Sequence, residues 1–360
     1  MATVAAAVPV PRAARGAPLL LAALALALAA AAPLYLSQTP LNLLGQFLAL
    51  AILAIGLDLI WGYAGILSLG QGVFFGIGGY LMAMYLKMQG LQPGQLPDFM
   101  TWSGVTSLPL VWHPFESFPL TLLLVFTLPA LFAYAFGALV FRSRIRGVYF
   151  SIMTQALAVA VSTLFVDQQQ LTGGSSGLTG FQSILGHSFY ANATQIAFYE
   201  VTVVVLAAVF AVAWYLTRSH FGVLLRAVRD GENRLRFFGY NPTVFKAFVF
   251  ALAGLCAGLA GALYVPQNGI IAPGMLGVVP SIEMVIWVAV GGRGTIVGAL
   301  IGALVVSYAK YYLSSAYPDF WLFLVGTLFV VVVLFFPRGL MGLAELAGRA
   351  LRRRGPPSET

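Results

Sequence analysis

Residues 43–61 read LLGQFLALAILAIGLDLIW, nineteen positions with a single ionisable side chain, Asp58. At a rise of about 1.5 Å per residue a helix of that length reaches across about 30 Å of hydrocarbon. The apolar residues run continuously instead of alternating, which excludes a barrel strand. Runs of the same kind occur at 19–36, 65–86, 119–141, 147–166, 196–217, 244–264, 295–313 and 320–337, with a shorter one at 281–291. The bulk composition agrees: 60% of the 360 residues are hydrophobic and 8% are charged, whereas soluble domains carry about 25% charged residues. Such a chain cannot coat a globular surface with charge, and it has too much apolar surface to stay disordered in water. The expected fold is an all-α polytopic membrane protein of about ten transmembrane helices, some short or broken.

The loops give the orientation. Arg12 and Arg15 precede the first run; Arg142, Arg144 and Arg146 fill one short connection; Arg218, Arg226, Arg229, Arg234 and Arg236 crowd another. Arg293 follows the short run, and Arg338, Arg349, Arg352, Arg353 and Arg354 close the chain. Loops 37–42, 167–195, 265–280 and 314–319 contain no Lys or Arg, and 87–118 has only Lys87. Ten crossings, with 281–291 counted as one, place every basic loop on one side. By the positive-inside rule that side is the cytoplasm, which holds both termini. The expected layout is a cytoplasmic tail at 1–18, a membrane domain at 19–337 with a cytoplasmic loop at 218–243, and a basic cytoplasmic tail at 338–360. The first run also resembles a secretory signal, with two arginines, an Ala/Leu core and small residues before Pro33. The net charge of +8 fits basic membrane flanks better than nucleic acid.

Polar residues inside the runs are candidates for a solute path, because an ionisable group at depth is costly unless it faces protein or water. Asp58, a candidate for that path, lies near the inner end of its span, and Glu200 lies near the outer end of its own. Glu283 opens the segment SIEMVIW at 281–287, after a loop holding Pro266, Pro273 and Pro280. Two readings stand for Glu283: it lines the solute path, or it bonds the free N–H groups at a helix start. Gln71, Thr154 and Gln155 are uncharged candidates for the same path, with Trp287 as a flat apolar wall. Glycine pairs at spacing i, i+4 (72/76, 254/258, 298/302) fit close helix packing. The stretches 62–65 and 70–79 are candidates for unwound backbone beside a cavity.

Segment 218–241 reads as an amphipathic helix over 222–238, with Leu225, Val228 and Leu235 on one side and Arg226, Arg229, Arg234 and Arg236 around them. It fits either an interfacial helix held by anionic lipid or a helix presented to a cytoplasmic partner. Chemistry within the chain has little support. The lone Cys256 reads as a packing residue, His113, His187 and His220 are scattered, and there is no CxxC, HExxH or GxxxxGK[ST]. The chain is not expected to be an enzyme, to hold a metal or cofactor, or to hydrolyse ATP itself.

Gly62-Tyr63-Ala64-Gly65-Ile66-Leu67-Ser68-Leu69-Gly70-Gln71 resembles the Gly-Tyr-x-Gly-x-Leu-Ser-Leu-Gly-His run of the LivM-type permeases, membrane subunits of ATP-binding-cassette importers for branched-chain amino acids and, in one branch, urea. Further similar stretches follow in order over about residues 40–343: Arg146 to Phe150, Phe221-Gly222, Ala227 to Asp230, Ser281 to Glu283, Gly291 to Thr295, and Pro337 to Leu340. Asp58 to Tyr63, Leu96 to Met100, Phe141 to Arg144, Thr154 to Leu157 and Ile286 to Thr295 are most similar to the urea branch. Gln71 stands where the family usually has His, and Ser175-Ser176 where the urea branch often has Asn-Asn.

The resemblance implies a bacterial inner-membrane complex with a second homologous permease subunit, two cytoplasmic ATPase subunits that bind the ATP and Mg, and a periplasmic substrate-binding protein. It implies that Gly222, Leu225, Arg226, Val228, Arg229, Asp230 and Arg234 form the ATPase-docking loop. Urea is the expected solute; a branched-chain amino acid importer, and a stand-alone secondary carrier, are the alternatives.

Overall fold

The computed structural model describes residues 25, 27–92, 95–143, 145, 147–318, 320, 323–324, 326–327, 330–331 and 339–342. The expected spans 19–36 and 320–337 fall partly outside these residues. So do the two tails, together with Arg12, Arg15, Arg144, Arg146, Arg338, Arg349 and Arg352 to Arg354.

Nine helices of fourteen residues or more organise the described residues. They are α1 (Gln38–Asp58), α2 (Gln71–Gln89), α3 (Phe118–Arg142), α4 (Val148–Asp167), α5 (Asn192–Arg218), α6 (His220–Phe237), α7 (Pro242–Asn268), α8 (Val278–Gly291) and α9 (Ile296–Ala316). Six of them are long and apolar enough to cross a bilayer, α1 being counted together with a π-turn at Leu59–Tyr63 that prolongs it. The chain is thus a multi-pass membrane protein. Of the remaining three, α2 has 19 residues, α6 is amphipathic, and α8 is apolar but has 14 residues.

Helix α7 sits at the centre, packed on α1, α2 and α3. Glycine permits that approach: a Cβ on Gly261 would meet the carbonyl oxygen of Phe75, and one on Gly78 would meet that of Gly258. Backbones this close gain dispersion contact where lipid offers no hydrophobic drive. Helices α8 and α9 cross in the same way through Gly291, Gly298 and Gly302. The paired glycines of the spans are therefore packing residues.

Unwinding is narrower than the sequence suggests. Beyond Gly70 the stretch to Gly79 is not unwound: α2 is regular from Gln71 onward, with Gly72 and Gly76 lying against Met275 and Leu276. The irregular stretch is 59–70, a π-turn followed by extended chain. The tenth expected crossing is broken. At about 1.5 Å per residue α8 is about 21 Å long, short of the hydrocarbon thickness. The residues before it form strand β4 (Ile270–Ile271) and a 3-10 turn at Pro273–Leu276. Leu276 is fully buried against α2. Non-helical backbone is tolerated in this position because protein covers it.

One end of the bundle is capped by segments 95–117 and 168–191. There β1 (Leu178–Thr179) pairs antiparallel with β4, β2 (Ser183–Ile184) pairs with β3 (His187–Ser188), and Lys87 Nζ donates to Thr179 O at 3.0 Å and to Asp98 at 3.2 Å. The other end carries α6, Arg142 and Arg293, and is the end that the positive-inside rule expects to face the cytoplasm. Helix α6 begins at His220 and is interrupted at Gly231, whose backbone is extended (φ −174°). The expected single helix over 222–238 is two segments.

Candidate functional site

Toward the outer half of the bundle, a cavity of about 280 Å³ opens between α1, α2, α7, α8 and α9. Its apolar wall comes from Leu43, Phe47 and Leu50 on α1, Phe75 on α2, Tyr264 on α7, and Met275 and Met284. Most of its polar groups come from α8 and α9, namely Glu283, Trp287, Ser307, Lys310, Tyr311 and Ser314, and α1 adds Gln46, whose Nε2 donates to Gln267 O at 3.0 Å. Positions 283 and 287 are one turn apart on α8, as are 307 and 311 on α9, so each helix presents one face to the cavity.

The charges of that wall compensate each other. Lys310 Nζ donates to Glu283 Oε2 at 2.7 Å, and the carboxylate side chain is only 9% exposed. Two of the neutral groups are different. Trp287 Nε1 and Ser307 Oγ are buried and make no hydrogen bond among the described residues. A buried donor without a partner costs about 1–3 kcal/mol, so these two groups mark places where a solute or water gains by binding.

The other candidates from the sequence sit elsewhere. Gln71 opens α2, one turn before the cavity-lining Phe75, and is 1% exposed. Neither atom of its carboxamide has a partner among the described residues. Thr154 is buried on α4 and Gln155 is half-buried beside it. Neither they nor Gln71 line the cavity. Asp58, a candidate for the path near the inner end of its span, is fully buried and does not line the cavity. Its Oδ1 accepts from Gly294 N at 2.7 Å. Glu200 is exposed on α5.

Thr154 and Asp58 instead belong to a second assembly, at the cytoplasmic end, that holds the irregular stretch 59–70. Leu69 N donates to Thr154 Oγ1 at 3.0 Å, and Ser151 Oγ donates to Leu67 O at 2.8 Å. Gly70 N approaches Ser68 Oγ at 3.4 Å, and Gly72 N donates to Ser281 Oγ at 3.1 Å. Backbone groups freed from helical bonding are thus answered by hydroxyls, as burial requires. Gly65 adopts φ +74°, open to glycine at no cost, and any side chain there would run into Arg229. From α6, Arg229 Nη1 donates to Gly62 O at 2.8 Å, and Arg293 lies 5.2 Å over the ring of Trp61.

The remaining docking-loop candidates divide between the two sides of α6. Gly222, Leu225 and Val228 are buried against the bundle; a Cβ on Gly222 would strike the Thr217 carbonyl. Arg226 donates to that carbonyl at 3.3 Å. Asp230 and Arg234 are exposed. Arg229 Nε also donates to Asp230 at 2.9 Å, and this bond holds the Asp230 carboxyl below the usual carboxylate range. Glu232 joins Arg236 (2.9 Å) and Lys246 (2.6 Å). The sequence missed this last cation, which is buried within α7, and it missed Ser307. Serines are common in spans, and only the cavity singles this one out.

The described residues thus combine a cavity holding a charged pair at one end with a broken helix gripped by an amphipathic helix at the other, the arrangement of a membrane-embedded protein with a candidate solute path. A family model for the permease component of the branched-chain amino acid transport system matches residues 39–333. The chain belongs to that family, as the resemblance implied. Its relatives include the high-affinity branched-chain amino acid transport system permease LivM of Salmonella typhimurium, 24% identical over 89% of this chain and 74% of LivM. BraD of Pseudomonas aeruginosa, a permease of the same description, is 23% identical over 82% of this chain and 92% of its own length. The ribose import permease RbsC of Haemophilus influenzae is 24% identical over 85% of this chain and 86% of its own. No solved structure matches.

Proposed function

We propose that this chain is the permease subunit of an ATP-binding-cassette importer for urea in the bacterial inner membrane. It forms half of the solute path, paired with a second homologous permease. Of the two cytoplasmic ATPases of the complex, one docks on α6 of this chain, and a periplasmic binding protein delivers solute to the capped end.

The observation that carries the solute assignment is the balance of the outer cavity. Glu283 and Lys310 neutralise each other, leaving the unpartnered Trp287 Nε1 and Ser307 Oγ as neutral hydrogen-bonding groups. Urea is neutral and planar, with one carbonyl acceptor and four N–H donors. Its carbonyl accepts from Trp287 Nε1, its amides donate to Ser307 Oγ and the free faces of the Glu283 carboxylate, and Phe47 and Tyr264 offer flat walls. The stretches most similar to the urea branch support the same reading.

A second reading rests on the same ion pair. A zwitterionic amino acid can exchange with it, its carboxylate toward Lys310, its ammonium toward Glu283, and its side chain toward Leu50 and Met284. The names of LivM and BraD favour that reading. One assay separates the two: the complex with its binding protein is reconstituted in vesicles, and ATP hydrolysis and uptake are measured with urea or leucine. Stimulation by leucine and none by urea refutes the urea assignment. Solute accumulation without nucleotide refutes the whole scheme in favour of a secondary carrier.

A further inference from the structure

A larger cavity, of about 530 Å³, lies at the cytoplasmic end where α3 finishes and α6 turns into α7. Its lining includes Tyr134, Ala138, Arg142, Arg236, Tyr240 and Val244. Neither the solute path nor the grip on the broken helix uses it.

Among the described residues its two charged lining residues are both arginines, and no carboxylate lines it. Glu232, one turn before Arg236 on α6, bonds both Arg236 and Lys246, so among the described residues Arg142, Arg236 and Lys246 gather here with one carboxylate. The Nε of Arg236 is buried and has no hydrogen-bond partner among the described residues. The cavity is also graded in depth. Arg142 ends α3, while Ala138 and Tyr134 lie one and two turns further into the membrane on the same helix face. Val244, on the first turn of α7, is half exposed beside them. At the rim Phe237 and Phe238 are 91% and 80% exposed. Bare aromatic side chains at this level suit insertion at the headgroup boundary.

We infer that this cavity binds an anionic phospholipid of the inner leaflet, its phosphodiester between Arg142 and Arg236 and an acyl chain along Ala138, Tyr134 and Val244. Guanidinium forks match phosphate oxygens geometrically, and basic pockets between helices on the cytoplasmic side suit anionic headgroups. The apolar wall and the exposed phenylalanines select a lipid over a soluble phosphate. The surplus of positive charge selects an anionic headgroup over a zwitterionic one, whose amine finds no uncommitted carboxylate. The break at Gly231 assigns the two sequence readings of α6 to different halves: residues before it grip the π-turn, and residues after it face the lipid.

The test is native mass spectrometry of the assembled complex from micelles doped with equal phosphatidylglycerol and phosphatidylcholine. Phosphatidylglycerol is expected to be retained preferentially, falling about fivefold in Arg142→Gln and about thirtyfold in Arg142→Gln/Arg236→Gln, as two charges near a lipid surface require. Arg142→Lys is expected to keep most of the retention. Equal retention of the two lipids, or unchanged retention in Arg142→Gln, overturns the inference. Displacement of the lipid by millimolar inorganic phosphate also overturns it, in favour of a soluble anion. Arg142 is exposed at a helix end, so its single variant decides the matter even if the double variant fails to assemble.

Discussion

Arg229 is the one side chain of α6 that donates directly to the broken stretch of the first long span, so its removal tests how motion of the docking helix reaches the membrane domain. Its Nη1 donates to Gly62 O at 2.8 Å. Hydrogen bonds to charged groups contribute about 1.5–3 kcal/mol. The Arg229 side chain is 34% exposed, so water competes and about 1–2 kcal/mol is the reasonable share. That corresponds to a factor of about 5–30 in the equilibrium between gripped and released states. Leu225 and Val228 still hold α6 on the bundle, so Arg229→Ala is expected to assemble. Solute moved per ATP hydrolysed should fall about 5–30-fold while basal hydrolysis is retained. Arg229→Lys, with a point charge in place of a fork, should fall between the two. The assay measures labelled urea uptake and phosphate release in the same vesicles. An unchanged ratio of uptake to hydrolysis in Arg229→Ala refutes the idea that this bond transmits the stroke.

Three further outcomes are expected. Ser307→Ala removes a buried hydroxyl that has no partner among the described residues, so thermal unfolding should stay level or rise by up to about 1 kcal/mol while the KM for urea uptake increases; a stability loss with normal KM would show the hydroxyl to be structural. Breaking the cavity ion pair from one side, by Glu283→Gln or Lys310→Met, should cost about 1–3 kcal/mol, less than a fully buried pair because Lys310 is partly exposed. The double variant should recover part of that loss in denaturant titration, and additive losses would argue against coupling. Gly261→Val places side-chain atoms on the Phe75 carbonyl and should cost about 3 kcal/mol or more, seen as loss of assembled complex; normal yield would refute the close approach of α2 and α7.

Much of the membrane domain was legible because a span declares itself through local composition. The run 43–61 sits inside α1 with its turn, and 119–141, 147–166, 196–217, 244–264 and 295–313 each fall on one helix to within a few residues. The start of α2 was less legible. Residues 65–70 are as apolar and glycine-rich as those that follow, and what unwinds them is a set of partners from α4 and α6, distant in sequence. Glu283 and Trp287 were singled out as intramembrane polar residues, and they share a cavity with Lys310 and Ser307, which lie about three to four turns along another helix. Asp58 and Thr154 were singled out on the same grounds, yet they hold backbone.

The sequence alone determined that this chain crosses a membrane repeatedly, which end carries the arginines, and that α6 is amphipathic, because each follows from the free energy of residues in hydrocarbon or at its edge. Only the tertiary structure decided which buried polar groups answer one another. That depends on helices brought together by glycine contacts and on where the chain leaves helical geometry. Trp287 and Ser307 are left unanswered there, while Gly62 receives Arg229, and local composition carries no record of either outcome.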